Sequence, residues 1–97
     1  MIELAGKHIL VVGLARTGAA LCRFLTEHGA RVTVTDQAPP EDLADFRREI
    51  RELGVTEVLG VEAPLWQGFE AIVLSPGVPR ELPWLTAARA TRAWRRG

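Results

Sequence analysis

The stretch that decides the fold is His8-Ile-Leu-Val-Val-Gly-Leu-Ala-Arg-Thr-Gly18. Its first five residues form a β-branched, continuously apolar run, which is typical of a parallel strand that is covered on both faces. Gly13 and Gly18 then frame a turn, and the residues after the turn are largely apolar as far as Gly29, where a helix is expected to end. A buried strand that runs through a tight turn into a helix predicts the first unit of an α/β fold.

Strands and helices alternate along the rest of the chain. Further strands are predicted at 31–35, 55–61 and 71–74, and further helices at 39–54 and from Pro83 to about Arg95. Parallel strands are joined by right-handed crossovers, so the prediction is a Rossmann-like open parallel sheet of about four strands in the order 3-2-1-4, with helices on both faces. The segment 60–69 has no clear period, because proline, tryptophan and glycine interrupt it.

Composition excludes several classes of protein. The chain has 97 residues, the size of one domain, and its 47% hydrophobic and 25% charged residues are typical of a folded globule. Twelve basic and twelve acidic residues give no net charge, which argues against a nucleic-acid or membrane partner. The single cysteine, Cys22, cannot form an internal disulfide, and neither histidine suggests a metal or catalytic site. We therefore expect a cytoplasmic protein without a membrane helix.

The turn Gly13-Leu-Ala-Arg-Thr-Gly18 has the position and spacing of the dinucleotide-binding pattern G-x-G-x-x-G, with Ala15 in place of the second glycine. Gly13 permits the tight turn, and Gly18 lets the helix pack closely on the sheet. The start of the helix offers unpaired N–H groups to a phosphate, and Thr17 is expected to cap the helix or to donate its hydroxyl to the ligand. The methyl group of Ala15 pushes a pyrophosphate outward, which argues against NAD.

Two other polar segments follow strands. Asp36 ends the second strand, where an acidic side chain of this fold meets the nucleoside part of a ligand; alternatively it only starts the next turn. Ser75-Pro-Gly-Val-Pro79 follows the strand predicted beside the first one. The two loops would flank a ligand crevice, where Ser75 offers a hydroxyl and Gly77 an N–H group to a phosphate. An ordinary Pro-Gly turn is the alternative.

Together, the glycine turn, Thr35-Asp36 and Ser75–Pro79 resemble the N-terminal domain of the Mur ligases, and within that family its D-glutamate-adding members. The similarity runs from about Gly6 to Arg89. It implies a domain that binds the UDP end of UDP-N-acetylmuramoyl-L-alanine, a precursor of peptidoglycan. The residues that the resemblance implies for this site are Leu14, Ala15, Arg16, Thr17, Gly18, Asp36, Gln37, Ser75, Pro76, Gly77 and Val78.

The resemblance also implies that residues 1–97 are one non-catalytic domain of an ATP-dependent ligase. The central ATP-binding domain and the C-terminal domain of the family have no counterpart in this sequence, and ATP and Mg²⁺ would serve those parts. Two alternatives stay open at this stage. One is a NAD-binding regulatory module, which the glycine turn and Asp36 also fit. The other is an interaction fragment with an empty crevice, supported only by the basic residues near the end of the chain.

Overall fold

A computed structural model describes residues 3–79 and 81–89. In chain order the elements are β1 (His8–Val12), α1 (Arg16–Glu27), β2 (Arg31–Asp36), a 3-10 turn (Pro40–Leu43), α2 (Ala44–Ile50), a second 3-10 turn (Arg51–Leu53), β3 (Thr56–Leu59), β4 (Ala71–Leu74) and α3 (Pro83–Arg89). The four strands pair in parallel in the order β3-β2-β1-β4. The predicted fold class and strand order are confirmed.

Some element boundaries differ from the prediction. The helix expected over 39–54 is α2 with a 3-10 turn at each end. The strand expected over 55–61 ends at Leu59, because Gly60 adopts a φ of +73°, outside the extended region, although its N–H still donates to the carbonyl oxygen of Asp36 at 2.9 Å. The last helix is described as far as Arg89, so the predicted extension to Arg95 lies outside the described residues.

Hydrophobic side chains cover both faces of the sheet. On β1, Ile9 and Val11 belong to a core with residues of α1 and α2, whereas Leu10 and Val12 belong to a second core with α3. The buried members contributed by β4 and α3 to the second core are Ile72, Trp84, Leu85 and Ala88. This alternation confirms that helices flank the sheet on both sides, as a continuously apolar β1 requires.

The segment between β3 and β4 crosses the sheet without forming a helix. Its aromatic residues Trp66 and Phe69 are partly buried against the second core, and the ring of Phe69 lies 4.3 Å from that of His8. Thr35 of β2 pairs with Val12 of β1, a member of the second core. Its side chain is only 2% exposed, and its hydroxyl donates to the carbonyl of Val58 at 2.9 Å. Packing by separate aromatic residues explains why this segment shows no helical period.

None of the described helices is long and apolar enough to cross a membrane.

The buried thiol of Cys22 gives a test of the core. Burial raises the pKa of this thiol from 9.0 to about 11. The unfolded chain therefore releases the proton near the lower pKa, whereas the folded chain retains it. We expect the free energy of unfolding, measured with denaturant, to fall as the pH rises from about 9 to about 11.

A Cys22→Ala variant should lose most of this alkaline fall, although its stability near neutral pH will also be lower. Few other side chains titrate between about pH 9 and pH 11, because the chain has no tyrosine and Lys7 is its single lysine. The difference between the parent and the variant therefore reports on Cys22. An equally steep fall in the variant would show that Cys22 is not the titrating group.

Candidate ligand-binding crevice

A crevice of about 350 Å³ opens at the carboxyl ends of the strands. Its walls are the ends of β1 and β2, the segment after β3, the loop Ser75–Pro79 after β4, and the start of α3. The helices that follow β1 and β4 lie on opposite faces of the sheet. The crevice thus lies where the strand order reverses, which is the usual place for a ligand in an open α/β sheet.

The two glycines of the first turn bring its backbone close to the neighbouring loop and to α1. Gly13 has a φ of +98°, and a Cβ atom there would lie 2.8 Å from Cγ2 of Val78. A Cβ atom on Gly18 would lie 1.9 Å from the carbonyl oxygen of Gly13. The positive φ of Gly13 confirms its predicted role in the tight turn, and the close approach at Gly18 confirms its predicted role in packing. Both glycines are therefore required even without a ligand.

The start of α1 has no side-chain cap. Ala15 is the N-cap residue, with extended backbone angles, and its methyl group offers no acceptor to the helix. Ala19 donates to the carbonyl of Ala15, but the preceding N–H groups, those of Arg16, Thr17 and Gly18, have no acceptor in the described part of the chain. The expectation that Thr17 caps the helix is wrong, because α1 begins one residue before it, at Arg16.

The carboxylate of Asp36 joins the turn after β1 to the turn after β2. One oxygen accepts the N–H of Leu14 at 2.7 Å, and the other accepts the N–H of Ala38 at 2.9 Å. The second bond is the local turn that was the alternative reading of this residue. Leu14 contributes only this N–H to the turn, since its side chain is fully buried in the first core. Gln37 is exposed and lines the crevice.

Ser75 joins the two loops directly. Its side chain is buried, its hydroxyl donates to the carbonyl of Gly13 at 2.9 Å, and its N–H donates to the carbonyl of Val12 at 2.9 Å. A serine hydroxyl has one proton, so in this arrangement Ser75 positions the loops and has no proton left for a phosphate.

The rest of the second loop stays at the crevice wall. Gly77 has a φ of +94°, and a Cβ atom there would meet nothing within 4 Å, so backbone conformation and not crowding selects glycine. Its N–H has no acceptor among residues 3–79 and 81–89. Pro76 and Val78 line the crevice on either side of it.

The charges around the crevice are acidic. Asp36 and Glu62 line it, and no lysine or arginine does so among the residues that the structure describes. Arg16 lines a separate surface depression beside Arg23 and Glu49. Leu14, Thr17 and Gly18 do not line the crevice either, and the predicted residues that do so are Ala15, Asp36, Gln37, Ser75, Pro76, Gly77 and Val78. An anion in the crevice would therefore be met by N–H groups and by the partial positive charge at the start of α1.

Several crevice residues were not predicted from the sequence. They are Val61, Glu62 and Pro64 after β3, and Leu82 and Trp84 at the start of α3. The first group lies in the segment without a period, and no motif marked it. Trp84 is buried in the second core, and its position at the crevice has no signal in the sequence.

Comparison with known sequences gives a family match. The model of the Mur ligase MurD-like N-terminal domain matches residues 7–93. The UDP-N-acetylmuramoylalanine–D-glutamate ligase of Geobacter metallireducens is 51% identical over 89 residues, which are 91% of this chain and 20% of that protein. The ligase of the same name from Geobacter sp. strain M21 is 47% identical over 92 residues, again 20% of its length. The chain thus spans about a fifth of the length of these curated relatives.

Comparison with solved structures supports the fold. The apo-structure of D-lactate dehydrogenase from Escherichia coli matches with a TM-score of 0.58 and 27% identity, over 76% of this chain and 21% of that one. The shared part is a Rossmann-like sheet with its helices.

The uncapped start of α1 predicts a stabilising substitution. Ala15→Asp supplies a side-chain acceptor to the free N–H groups and a negative charge at the positive end of the helix. It should raise the free energy of unfolding by about 1 kcal/mol, measured with denaturant. Ala20→Asp is the matched control, because it places the same charge on an exposed position inside α1. An equal gain in both variants would contradict the capping explanation.

The hydrogen bond between Ser75 and Gly13 predicts a destabilising substitution. Ser75→Ala removes the donor and leaves the carbonyl of Gly13 without it, which should lower the free energy of unfolding by about 1–2 kcal/mol. Thr86→Ala is the control, since the exposed Thr86 hydroxyl makes only a 3.4 Å bond to the carbonyl of Leu82, the residue before α3. Its effect should stay within about 0.5 kcal/mol. If thermal or denaturant unfolding showed similar losses of stability in Ser75→Ala and Thr86→Ala, the hydrogen bond between Ser75 and Gly13 would contribute nothing to the free energy of unfolding.

Proposed function

The chain belongs to the family of MurD-like Mur ligase N-terminal domains, and on that premise we propose that it binds the UDP end of UDP-N-acetylmuramoyl-L-alanine. Its relatives are named as ligases that join D-glutamate to UDP-N-acetylmuramoylalanine. The proposal for the full-length protein is the same ATP-dependent reaction in peptidoglycan synthesis, a process tied to cell shape and division. This domain would bind and orient the precursor, and it would not be catalytic alone.

One observation supports a diphosphate ligand above the others. N–H groups without a described acceptor occur on both loops of the crevice, at the start of α1 and at Gly77. Ser75 holds these two loops together. The helix start contributes about 0.3–1 kcal/mol toward an anion in addition to the hydrogen bonds. Because no cation of the described residues lines the crevice, we expect this domain to hold UDP weakly by itself.

The uridine would lie toward the ends of β2 and β3, where Gln37 and Glu62 line the crevice. In open α/β sheets the nucleoside lies over the end of the second strand while the phosphates meet the first turn. Leu14 and Asp36 then act through the backbone that they fix, and Pro76 and Val78 shape the wall beside the diphosphate.

The proposal assigns ATP and Mg²⁺ to other parts of a ligase of the relatives' length, as the resemblance implies. Among residues 3–79 and 81–89, no group of three His, Cys, Asp or Glu residues is arranged to hold a metal ion. The cytoplasmic location expected from the sequence goes with this function and stays a prediction.

NMR titration of the chain tests the function. We expect the amide signals of residues 14–18, Ser75, Gly77 and Val78 to shift on addition of UDP or UDP-N-acetylmuramoyl-L-alanine. In the proposal, the N–H groups of residues 16–18 and Gly77, which have no described acceptor, would bind the diphosphate, and the other amides lie beside them. Shifts with NAD and with neither uridine compound would favour the NAD-binding alternative and overturn the proposal.

A charge variant makes the titration specific. Ala15→Asp should weaken UDP binding at least several-fold, because its carboxylate occupies the free N–H groups and repels the diphosphate. The control Ala20→Asp should bind UDP as the parent does. Equal binding by both variants would remove the start of α1 from the site.

A further inference from the structure

The nucleoside end of the crevice contains a carboxylate that no structural bond occupies. Glu62 lines the crevice, is exposed, and makes no hydrogen bond or ion pair within the described residues. Its neighbours on the chain are fixed, since the N–H groups of Gly60 and Val61 both point to the carbonyl of Asp36, at 2.9 and 3.4 Å. The backbone that carries this carboxylate is thus fixed beside the end of β2.

Asp36 occupies the position from which this fold usually binds ribose, but its carboxylate already has two backbone partners. The bonds to the N–H groups of Leu14 and Ala38 are short and engage both oxygens. Turning toward a ligand would break the connection between two turns of the crevice, so Asp36 can offer a ribose only the remaining lone pairs of a carboxylate that is fixed in its present orientation. The carboxylate of Glu62 has no such bond within the described residues, and both of its oxygens can turn to a ligand.

The chemistry of a free carboxylate selects its partner. A carboxylate accepts hydrogen bonds and cannot donate them, and it repels phosphate. The adjacent 2′ and 3′ hydroxyl groups of a ribose supply two donors without charge. Gln37, the other crevice side chain without a described partner, both donates and accepts, so it discriminates less between ligand groups.

We propose that Glu62 is a specificity-determining residue that accepts the ribose hydroxyls of the nucleotide, in the place that Asp36 has in other Rossmann-like folds. This inference rests on the proposed function and assigns a role at the same site. It makes the segment after β3 part of nucleotide recognition. The structural work of the site then falls to Asp36, and the selection of a ribonucleotide falls to Glu62.

The test compares two ligands that differ by one hydroxyl group. Dissociation constants of UDP and of 2′-deoxyuridine 5′-diphosphate are measured by calorimetry for the full 97-residue chain. The parent should prefer UDP about 3- to 10-fold, the range for one exposed charge-assisted hydrogen bond. Glu62→Gln should reduce this ratio and Glu62→Ala should bring it close to one.

The ratio of the two dissociation constants separates recognition from stability, because a general loss of structure weakens the binding of both ligands alike. Glu52→Gln is the control, an exposed glutamate on the turn after α2 that does not line the crevice. It should keep the parent's ratio. If the parent binds UDP and the ratio is unchanged in Glu62→Ala, this inference is wrong while the proposed function stands. If the parent binds neither nucleotide, both fall.

Discussion

The carbonyl group of Gly13 is the contact on which the carboxyl edge of the sheet depends. It accepts the hydroxyl proton of Ser75, and it lies so close to Gly18 that any side chain there would collide with it. One peptide group thus joins β1, the first turn of α1 and the loop after β4. Interior packing is too dense to absorb an added methyl group at such a point without displacement of one of these elements.

Recognition in this crevice depends on backbone groups more than on charge. The described lining carries two carboxylates and no cation, so attraction of an anion rests on N–H groups and on the helix dipole. Ala15 contributes by what it lacks, since a serine or aspartate at this N-cap would occupy the same donors. A chain without net charge can therefore still suit a diphosphate.

The sequence predicts the fold well because apolar runs and glycines report local geometry. The run at 8–12, the glycines of the first turn and the Pro-Gly loop determine the strand order and the position of the crevice. The hydrogen-bond partner of a side chain depends on tertiary geometry, so the sequence predicts these partners less well than it predicts the fold. The expected contact of Asp36 with a nucleoside stays a prediction, whereas its bond to the distant N–H group of Leu14 had no signal in the sequence. The Arg16 side chain lies at another surface. Glu62 was not identified, because an irregular segment held by separate aromatic contacts leaves no period to detect.

The bonds of Asp36 have a further consequence for the entropy of binding. Its carboxylate and carbonyl together connect the turns after β1 and β2 with the residues that follow β3, and Ser75 adds the loop after β4. Four chain segments therefore form one preorganised unit before any ligand arrives. Ordering mobile loops upon association opposes binding, and this domain has little of that ordering left to do. Rigidity of the walls thus compensates in part for the missing positive charge.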